Sequence, residues 1–301
     1  MPDDDPWRAS PKQLLAARNL RARKRFGQNF LTDPKLAARI AGALPAGAHV
    51  IEIGGGTGAL TVALLETAAR VIVLEIDRDL TALLRERFAA RTDRVEIVSG
   101  DALQFGFARA LQAMPRPRAI VGNLPYNVTT PLLERILESA PLWDSALLMV
   151  QREYARRLSA SPATPDYGSL TLFAAHYCDV RRLFDVGASG FYPAPNVAST
   201  VVRLAPRART PGARPVDEQL LLRLIRAAFA HRRKTLVNSL LDEIPGESAG
   251  TRKTVEAALA QAHLDPMIRA ERLALPEFTR LSEALAAGGF SSSVFRRGAT
   301  A

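Results

Sequence analysis

The chain has 301 residues, 48% of them hydrophobic, which is enough to bury one or two cores and excludes disorder as the default state. Lysine and arginine number 40 against 30 for aspartate and glutamate, a basic balance that favours a polyanionic partner such as nucleic acid. Most of the positive charge is arginine, which binds phosphate through a planar guanidinium. An arginine-rich surface that is merely solvated would have the same composition.

The single cysteine, Cys178, excludes an intrachain disulfide and a multi-cysteine metal site, and it fits a reducing compartment. It ends an apolar run from Leu172 that predicts a core segment. The N-terminus has no basic segment leading into an apolar one, and no stretch approaches the ~18 apolar residues of a membrane span. We therefore expect a soluble cytoplasmic monomer with no membrane association and no metal site.

The first 25 residues are predicted to form a poorly ordered leader, a short amphipathic piece and a basic arm. Five of the eight residues from Arg18 to Arg25 are basic. Such a run is either a solvated arm or one that contacts nucleic acid phosphates beside a binding site. Arg23, Lys24 and Arg25 are therefore candidate substrate contacts.

Short β-rich runs then alternate with amphipathic segments, a pattern that predicts a mainly parallel sheet with helices on both faces. A helix is expected to start at Thr32 or Asp33, with Pro34 in its first turn. The predicted strands are His49–Ile53, Arg70–Ile76, Arg94–Val98, Arg118–Val121 and Ser145–Val150. Two later runs, Arg182–Val186 and Val197–Leu204, suit an antiparallel pair at the sheet edge. These elements indicate one α/β domain over residues 26–205.

A basic stretch punctuated by proline and glycine follows Leu204 and suggests a linker. Beyond it the sequence has only helical patterns. The predicted helices are Val216–Ala230, Lys234–Glu243, Thr251–His263 and Pro276–Ala287. We expect a small all-helical C-terminal domain over residues 206–288 and a mobile tail rich in glycine and serine over residues 289–301.

A glycine-rich loop follows the first predicted strand, where Gly54, Gly56 and Gly58 precede a helix. Glycine lets the backbone turn sharply and come within contact distance of a ligand at the helix N-terminus. The stretch also satisfies the dinucleotide-binding pattern, with Glu75 at the ~20-residue distance expected of a ribose-binding acid. The loop alone therefore does not separate a nicotinamide cofactor from S-adenosylmethionine.

Acidic residues end the next two strands. The Glu75 carboxylate can accept hydrogen bonds from both ribose hydroxyls. Asp101, followed by Ala102, is well placed to accept the adenine amine of the cofactor, and capping a helix is the competing role. Together with the glycine loop, these strand ends describe one ligand crevice at the carboxyl edge of the sheet.

The motif that indicates the chemistry is Asn123-Leu124-Pro125-Tyr126, after the fourth strand. The amine of adenine is a poor nucleophile because its lone pair is delocalised into the ring. The Asn123 side-chain oxygen and the Leu124 carbonyl can each accept one N–H of that amine, while Pro125 stiffens the turn and Tyr126 offers a flat face for the base. Positioning and electrostatics would then promote methyl transfer. An ordinary Asn/Pro turn before a helix is the alternative.

The chain from about Arg23 to Leu281 resembles the ribosomal RNA adenine N6,N6-dimethyltransferases, specifically those of the small subunit. The matching stretches are 24–31, 54–58, 75–80, 100–102, 123–127, 149–153, 167–168 and 229–238. The resemblance implies a Rossmann-like methyltransferase domain plus a helical C-terminal domain, and S-adenosylmethionine as cofactor. The implied reaction is dimethylation of two adjacent adenines near the 3′ end of 16S rRNA, in ribosome biogenesis.

The resemblance also implies roles for single residues. The cofactor contacts would come from Asn29, Leu31, Gly54, Glu75, Asp101 and Asn123, with Gly56 and Ala102 beside them. Phe191 would stack on the target adenine, although a loop aromatic that covers the core edge is the alternative. Arg232, Arg233 and Lys234 would contact RNA phosphates or form internal ion pairs. Asn196 and Ala198 depart from the lysine and aspartate usual in the family.

Three other functions compete with this interpretation. One is the related methylation of large-subunit RNA that confers macrolide resistance, which the 26–28, 123–126 and 232–234 motifs fit less well. Another is a ribosome-assembly factor whose binding matters more than its catalysis. The third is a nicotinamide-dependent oxidoreductase, which the glycine loop permits.

Overall fold

The computed structural model describes residues 9–207, 217–246 and 248–296, and of Lys24 only the backbone. Part of the predicted leader (1–8), most of the predicted linker (208–216) and the last part of the predicted tail (297–301) lie outside the described residues. The described residues fall into two compact units. Those up to Ala155 and those from Cys178 to Pro206 form the first, and residues 156–177 with those from Arg207 onward form the second.

The first unit contains all the strands of the described residues. The strands are β1 (Phe30–Leu31), β2 (His49–Ile53), β3 (Arg70–Glu75), β4 (Val95–Ser99), β5 (Arg118–Asn123), β6 (Ser145–Gln151), β7 (Cys178–Val186), β8 (Phe191–Tyr192) and β9 (Ser199–Pro206). The helices up to the end of β6 are α1 (Pro11–Ala16), α2 (Pro34–Ala41), α3 (Ala59–Thr67), α4 (Arg78–Arg87), α5 (Phe107–Gln112) and α6 (Thr129–Glu138). The short helix α7 (Arg152–Leu158) follows β6 and runs into the second unit.

Seven strands form one sheet in the order β4-β3-β2-β5-β6-β9-β7. The five strands from β4 to β6 in that order pair in parallel, whereas β9 and β7 pair antiparallel at the edge. The predicted parallel sheet with an antiparallel edge is confirmed. The edge strand β7 begins at Cys178, four residues before the predicted start, because Cys178 and the residues after it pair with the end of β9.

The apolar runs form central strands because both of their faces are covered. Val50 and Ile51 point to opposite faces of β2 and are both 0% exposed, as expected for a parallel sheet between two layers of helices. On one face α2 and α3 pack through side chains such as Ile40 and Leu64. Asp33 accepts a hydrogen bond from the Lys35 N–H at 2.8 Å and so caps α2 at the expected position.

The parallel register brings three strand ends together. Ile53 at the end of β2 is paired with Leu74 of β3 on one side and with Gly122 of β5 on the other. The loops that follow β2, β3 and β5 therefore begin at one edge of the sheet. At this edge β2 lies between β3, which follows it in the sequence, and β5, which does not follow it directly. This is the position at which open α/β sheets bind ligands.

A two-stranded antiparallel sheet that was not predicted joins the N-terminal segment to the loop before β9. Phe30 pairs with Tyr192 and Leu31 with Phe191. Both strands are only two residues long, too short for the alternation of side chains that identifies a strand. The pairing places the segment before α2 against the ligand-binding edge of the larger sheet.

The second unit is helical in its described residues, and the predicted helices are present. They are α9 (Glu218–Ala230), α10 (Leu236–Asp242), α11 (Ala249–Gln261) and α12 (Leu275–Ala287). A further helix, α8 (Ser169–Tyr177), was not predicted. Residues 156–177 belong to this unit rather than to the α/β unit, which differs from the predicted boundary. Tyr167 explains the difference, because its hydroxyl donates to the Leu273 carbonyl at 2.6 Å and its ring packs on Phe229.

The prediction of a mobile tail from residue 289 is wrong for residues 290–296. Phe295 is 3% exposed and belongs to the core of the second unit, with Phe290 packed against the same cluster. The Arg296 N–H donates to the Glu243 carbonyl at 2.8 Å. Burial of Phe295, with Phe290 partly buried beside it, explains why this glycine- and serine-rich stretch is held in place. Among the helices that the structure describes, none is long and apolar enough to cross a membrane.

Candidate active site

The glycine-rich loop turns from β2 into α3 through left-handed backbone conformations. Gly54 has φ of 75° and Gly56 has φ of 56°, which side chains rarely tolerate. A Cβ on Gly56 would also lie 2.9 Å from the Phe30 ring. The Gly54 N–H donates to the Leu74 carbonyl at 2.8 Å, which fixes the loop to the end of β3. The loop therefore leaves a clear space above the N-terminus of α3.

Glu75 closes β3 and supports this loop. Its carboxylate accepts the Gly56 N–H at 2.8 Å and the Asp77 N–H at 2.9 Å, and the residue is 4% exposed. Burial raises the pKa of Glu75, while the two backbone hydrogen bonds oppose that shift. Glu75 thus presents an oriented acceptor to the space beside the loop.

A second buried acid, Glu52, lines the same space and was not among the predicted site residues. It is 1% exposed, and the Thr61 hydroxyl donates to its Oε2 at 2.6 Å. The pKa of Glu52 is raised to about 8, mainly by burial; the Thr61 hydrogen bond opposes this shift and the nearby charge of Glu75 contributes to it. The available signal was a charged residue inside an apolar β-strand, since such residues are rarely buried without a functional or paired role.

Asp101 lies exposed after β4. Its Oδ1 accepts the Leu103 N–H at 2.9 Å and so closes a turn. The alternative that Asp101 caps a helix is wrong, because α5 begins only at Phe107. Ala102 follows it at the rim of the same space.

The motif after β5 is held by bonds to three separate segments. The Asn123 Nδ2 donates to the Asn29 carbonyl at 2.8 Å, which leaves Oδ1 as the acceptor of this side chain. The Leu124 N–H donates to the Met149 carbonyl at 3.0 Å, so β6 fixes the backbone at the turn. The Pro125 carbonyl accepts the Thr129 hydroxyl at 2.9 Å. The turn is therefore rigid at the strand end where the sequence places it.

One cavity in the first unit brings most of the predicted site residues together. The predicted residues that line it are Arg25, Asn29, Leu31, Gly54, Gly56, Glu75, Asp101, Ala102, Asn123 and Pro125. The cavity wall, as far as the described residues define it, does not include Leu124, Tyr126, Phe191 or Arg23. Tyr126 lies at the adjoining turn, where its hydroxyl is 2.8 Å from the Ser199 Oγ. Residues that line the cavity but were not predicted include Phe26, Gln28, Ile76, Asn127 and Val128.

Phe191 is buried rather than presented to a ligand. It is 5% exposed and belongs to the hydrophobic core on the α2 and α3 face of the sheet. This position fits the alternative of an aromatic ring that covers the core edge. The role in stacking on a target base stays a prediction. The neighbouring Tyr192 is the more exposed ring, at 37%.

Several of the basic residues predicted to contact RNA have acidic partners within the chain. Arg23 pairs with Asp77 and Asp79. In the second unit Lys234 pairs with Asp242, and the Arg232 guanidinium donates to the Pro165 carbonyl at 3.0 Å with Glu271 at 3.9 Å. Arg25 and Arg233 are exposed. Internal ion pairs, the competing interpretation from the sequence, therefore account for Lys234 and in part for Arg232.

Comparison with known proteins identifies the family. The family model described as ribosomal RNA adenine dimethylase matches residues 19–269. The chain belongs to the ribosomal RNA adenine dimethylase family. Ribosomal RNA small subunit methyltransferase A of Pseudomonas aeruginosa is 44% identical over 269 residues, covering 88% of this chain and 95% of that protein. The protein of the same name from Leuconostoc mesenteroides is 41% identical over 285 residues, covering 92% and 95%.

Solved structures of this family and its relatives share the fold. A dimethyladenosine transferase from Plasmodium falciparum has a TM-score of 0.73 and 26% identity, covering 86% of this chain and 98% of that chain. The 23S rRNA methyltransferase ErmE has a TM-score of 0.60 and 31% identity, covering 86% and 100%. The fold is thus that of a Rossmann-like methyltransferase domain with a helical C-terminal part.

Membership of the ribosomal RNA adenine dimethylase family resolves the choice that the glycine loop left open. The loop and Glu75 fit a nicotinamide cofactor as well as a methyl donor, whereas the family comprises methyltransferases. The nicotinamide-dependent oxidoreductase considered from the sequence is therefore wrong. The protein is an enzyme that methylates adenine in ribosomal RNA.

Proposed function

We propose that the protein transfers methyl groups from S-adenosylmethionine to the N6 amines of two adjacent adenines near the 3′ end of small-subunit (16S) rRNA. The observation that carries this proposal is the anchored Asn123 side chain, whose amide nitrogen is held by the Asn29 carbonyl at 2.8 Å. A carboxamide fixed in this way presents one oxygen to a ligand with little freedom to turn. The small-subunit relatives supply the choice of RNA.

The residues of the cavity fit S-adenosylmethionine by their chemistry. Glu75 is a buried acceptor suited to the ribose hydroxyls, and Asp101 is an acceptor at the rim suited to the adenine amine. Gly56 keeps this part of the cavity open, because a Cβ at that position would lie 2.9 Å from the Phe30 ring. When bound, S-adenosylmethionine supplies an electrophilic methyl group on its sulfonium.

The chain's own contribution is to orient the target amine. Asn123 Oδ1 and the Leu124 carbonyl would each accept one N–H, which draws the nitrogen lone pair out of the ring and directs it toward the methyl group. The Leu124 backbone is suited to this role because its N–H is bonded to β6 at 3.0 Å and its side chain is 1% exposed. Holding two reactants in the right orientation before they react can lower the barrier by on the order of 7 to 11 kcal/mol.

The base would lie beside the turn that contains Tyr126. The hydrogen bond between the Tyr126 hydroxyl and the Ser199 Oγ, 2.8 Å long, holds the ring edge and leaves its face for stacking. Because a paired adenine hides its amine inside the helix, the target must be unpaired or flipped out of its stack. Arg25 at the cavity and Arg233 in the helical unit are the exposed predicted cations best suited to RNA phosphates.

Two measurements test this function. Titration with S-adenosylmethionine should raise the melting temperature of the protein, whereas titration with NADH should not. Tritium from labelled S-adenosylmethionine should then enter unmodified small subunits and not large subunits. The Asn123→Ala variant should bind the cofactor with only partly reduced affinity and transfer no methyl groups. Turnover equal to that of the parent would contradict the role of Asn123, and labelling of large subunits alone would contradict the choice of RNA.

The same variant separates catalysis from an assembly role. If Asn123→Ala binds subunits and supports growth as well as the parent, binding rather than methyl transfer is the essential activity. If growth and subunit maturation fail although the variant still binds subunits, methyl transfer itself is required.

A further inference from the structure

One wall of the cavity is a segment that lies outside the main sheet. Residues 25–31 line the cavity, yet their strand pairing is limited to the two residues of β1. Phe30 packs with Leu15 and Leu80 in a small hydrophobic cluster of three buried side chains. A wall with so few sheet hydrogen bonds needs other contacts to stay in place, since short two-stranded pairs are marginally stable in water.

Asp77, at the start of α4, supplies those contacts. It is 3% exposed, and its Oδ1 accepts the Arg23 guanidinium at 2.9 Å while its Oδ2 accepts the Gln28 Nε2 at 2.9 Å. Arg23 also pairs with Asp79, and its backbone N–H donates to the Gln28 Oε1 at 2.7 Å. One oxygen of this buried carboxylate thus binds Arg23, two residues before the wall, and the other binds Gln28 within it.

Asp77 also contacts the acid expected to bind the cofactor. Its backbone N–H donates to the Glu75 Oε1 at 2.9 Å, while the Glu75 Oε2 accepts the Gly56 N–H of the glycine loop. The carboxylate of Asp77 further caps α4 by accepting the Asp79 N–H at 3.0 Å. The wall, the ribose-binding acid and the glycine loop are therefore joined through a single residue.

We propose that Arg23 and Asp77 form a latch that holds residues 25–31 against the end of β3, and that Asp77 is a positioning residue for cofactor binding. Removing Arg23 takes a cationic partner from the buried Asp77 carboxylate, which is costly even though the hydrogen bonds from Gln28 and the Asp79 N–H remain. Loss of Arg23 therefore makes it easier for residues 25–31 to move away from the end of β3. The proposal rests on the proposed function for the identity of the cofactor.

The latch gives Arg23 a role different from that of its basic neighbours. Its guanidinium lies between two carboxylates, so the three groups together carry a net negative charge, which disfavours an RNA phosphate at this position. Arg25, two residues later, is exposed and lines the cavity. Substitution of Arg23 should affect the cofactor, and substitution of Arg25 should affect RNA.

The test compares cofactor affinity in full-length variants by isothermal titration with S-adenosylmethionine in the absence of RNA. Arg23→Met should bind S-adenosylmethionine about tenfold more weakly. This is the loss expected when a charge-assisted hydrogen bond no longer holds residues 25–31 in the arrangement that binds the cofactor. Arg23→Lys should recover part of the affinity, since an ammonium reaches one carboxylate but not both. The matched control is Arg70→Met, which removes an exposed pair with Glu96 elsewhere on the sheet and should bind normally.

Kinetics and exchange separate positioning from a general loss of stability. In Arg23→Met the KM for S-adenosylmethionine should rise about tenfold while kcat at saturating cofactor stays near that of the parent. Amide hydrogen exchange of residues 25–31 should accelerate in Arg23→Met and in Asp77→Asn, with exchange in β2 and β5 unchanged. If Asp77→Asn does not fold, Arg23→Met tests the proposal by itself. That variant should fold, because the guanidinium it removes is partly exposed in the parent.

The proposal is overturned if Arg23→Met keeps the parent's cofactor affinity and exchange while its affinity for small subunits falls, because Arg23 would then contact RNA. It is also overturned if kcat falls with KM unchanged. If the parent itself does not bind S-adenosylmethionine, the proposed function fails, and faster exchange of residues 25–31 in Arg23→Met still decides whether the latch exists.

Discussion

Substitution of Glu52 by Gln should make the protein more stable at neutral pH. The Glu52 carboxyl is 1% exposed, and the hydroxyl of Thr61 is its hydrogen-bond donor. Burial raises its pKa to about 8 from the 4.5 of an exposed glutamate. Between those values the folded protein holds a proton that the unfolded chain has lost, so the free energy of unfolding decreases as the pH rises.

The size of this effect follows from the two pKa values. One pKa unit corresponds to about 1.4 kcal/mol, so the carboxyl should reduce the free energy of unfolding by about 3 kcal/mol between about pH 5 and about pH 7.5. Gln has the shape of the protonated acid and does not titrate. Relative to the parent, Glu52→Gln should therefore gain about 3 kcal/mol of stability over that interval.

Urea unfolding of both proteins without cofactor, at several pH values across that interval, measures the effect. The quantity to compare is the difference between the two free energies of unfolding, because other titrating groups contribute equally to both proteins. A difference that stays constant with pH would show that Glu52 is not held protonated. The carboxyl would then be ionised in the folded protein, and the argument from burial would be refuted.

Three further changes test the packing of the site and the contact with RNA. Gly122→Ala should lower the free energy of unfolding by about 1 to 3 kcal/mol, because its Cβ would lie 2.7 Å from the Ile53 carbonyl, and urea titration would detect it. Phe191→Ala should cost about 3 to 5 kcal/mol in the same assay if the ring is a core residue; a loss of methyl transfer with unchanged stability would instead favour stacking on the base. Arg233→Ala should weaken subunit binding and lower its salt slope by about 1, and an unchanged slope would exclude a phosphate contact.

Local sequence patterns were sufficient to predict the strands that position the site residues. The strand His49–Ile53 was predicted with its exact bounds, since a run of β-branched residues ends in a glycine loop. Glu75 and Asp101 were assigned to one crevice with the glycine loop because parallel strands end at a common edge. The cavity indeed contains both residues.

Long-range contacts determine the features that local sequence patterns did not predict. Arg23 and Asp77 are 54 positions apart. Nothing in the run from Arg18 to Arg25 distinguishes the arginine that pairs with a buried carboxylate from its basic neighbours. The burial of Phe191 also depends on a long-range contact, the pairing of two strands of two residues each. Strands this short leave no periodic pattern in the sequence. The order of residues 290–296 depends on where Phe295 packs, and composition does not reveal a packing site.

The central claim is tested most directly by locating the methyl groups that the enzyme adds. Small subunits from a strain that lacks this modification would be incubated with the protein and S-adenosylmethionine, and the RNA digested and mapped by mass spectrometry. We predict dimethyladenosine at two adjacent positions near the 3′ end of the small-subunit RNA, and none with Asn123→Ala. Methylation at another site, or no incorporation by a protein that binds the cofactor, would contradict the proposed substrate.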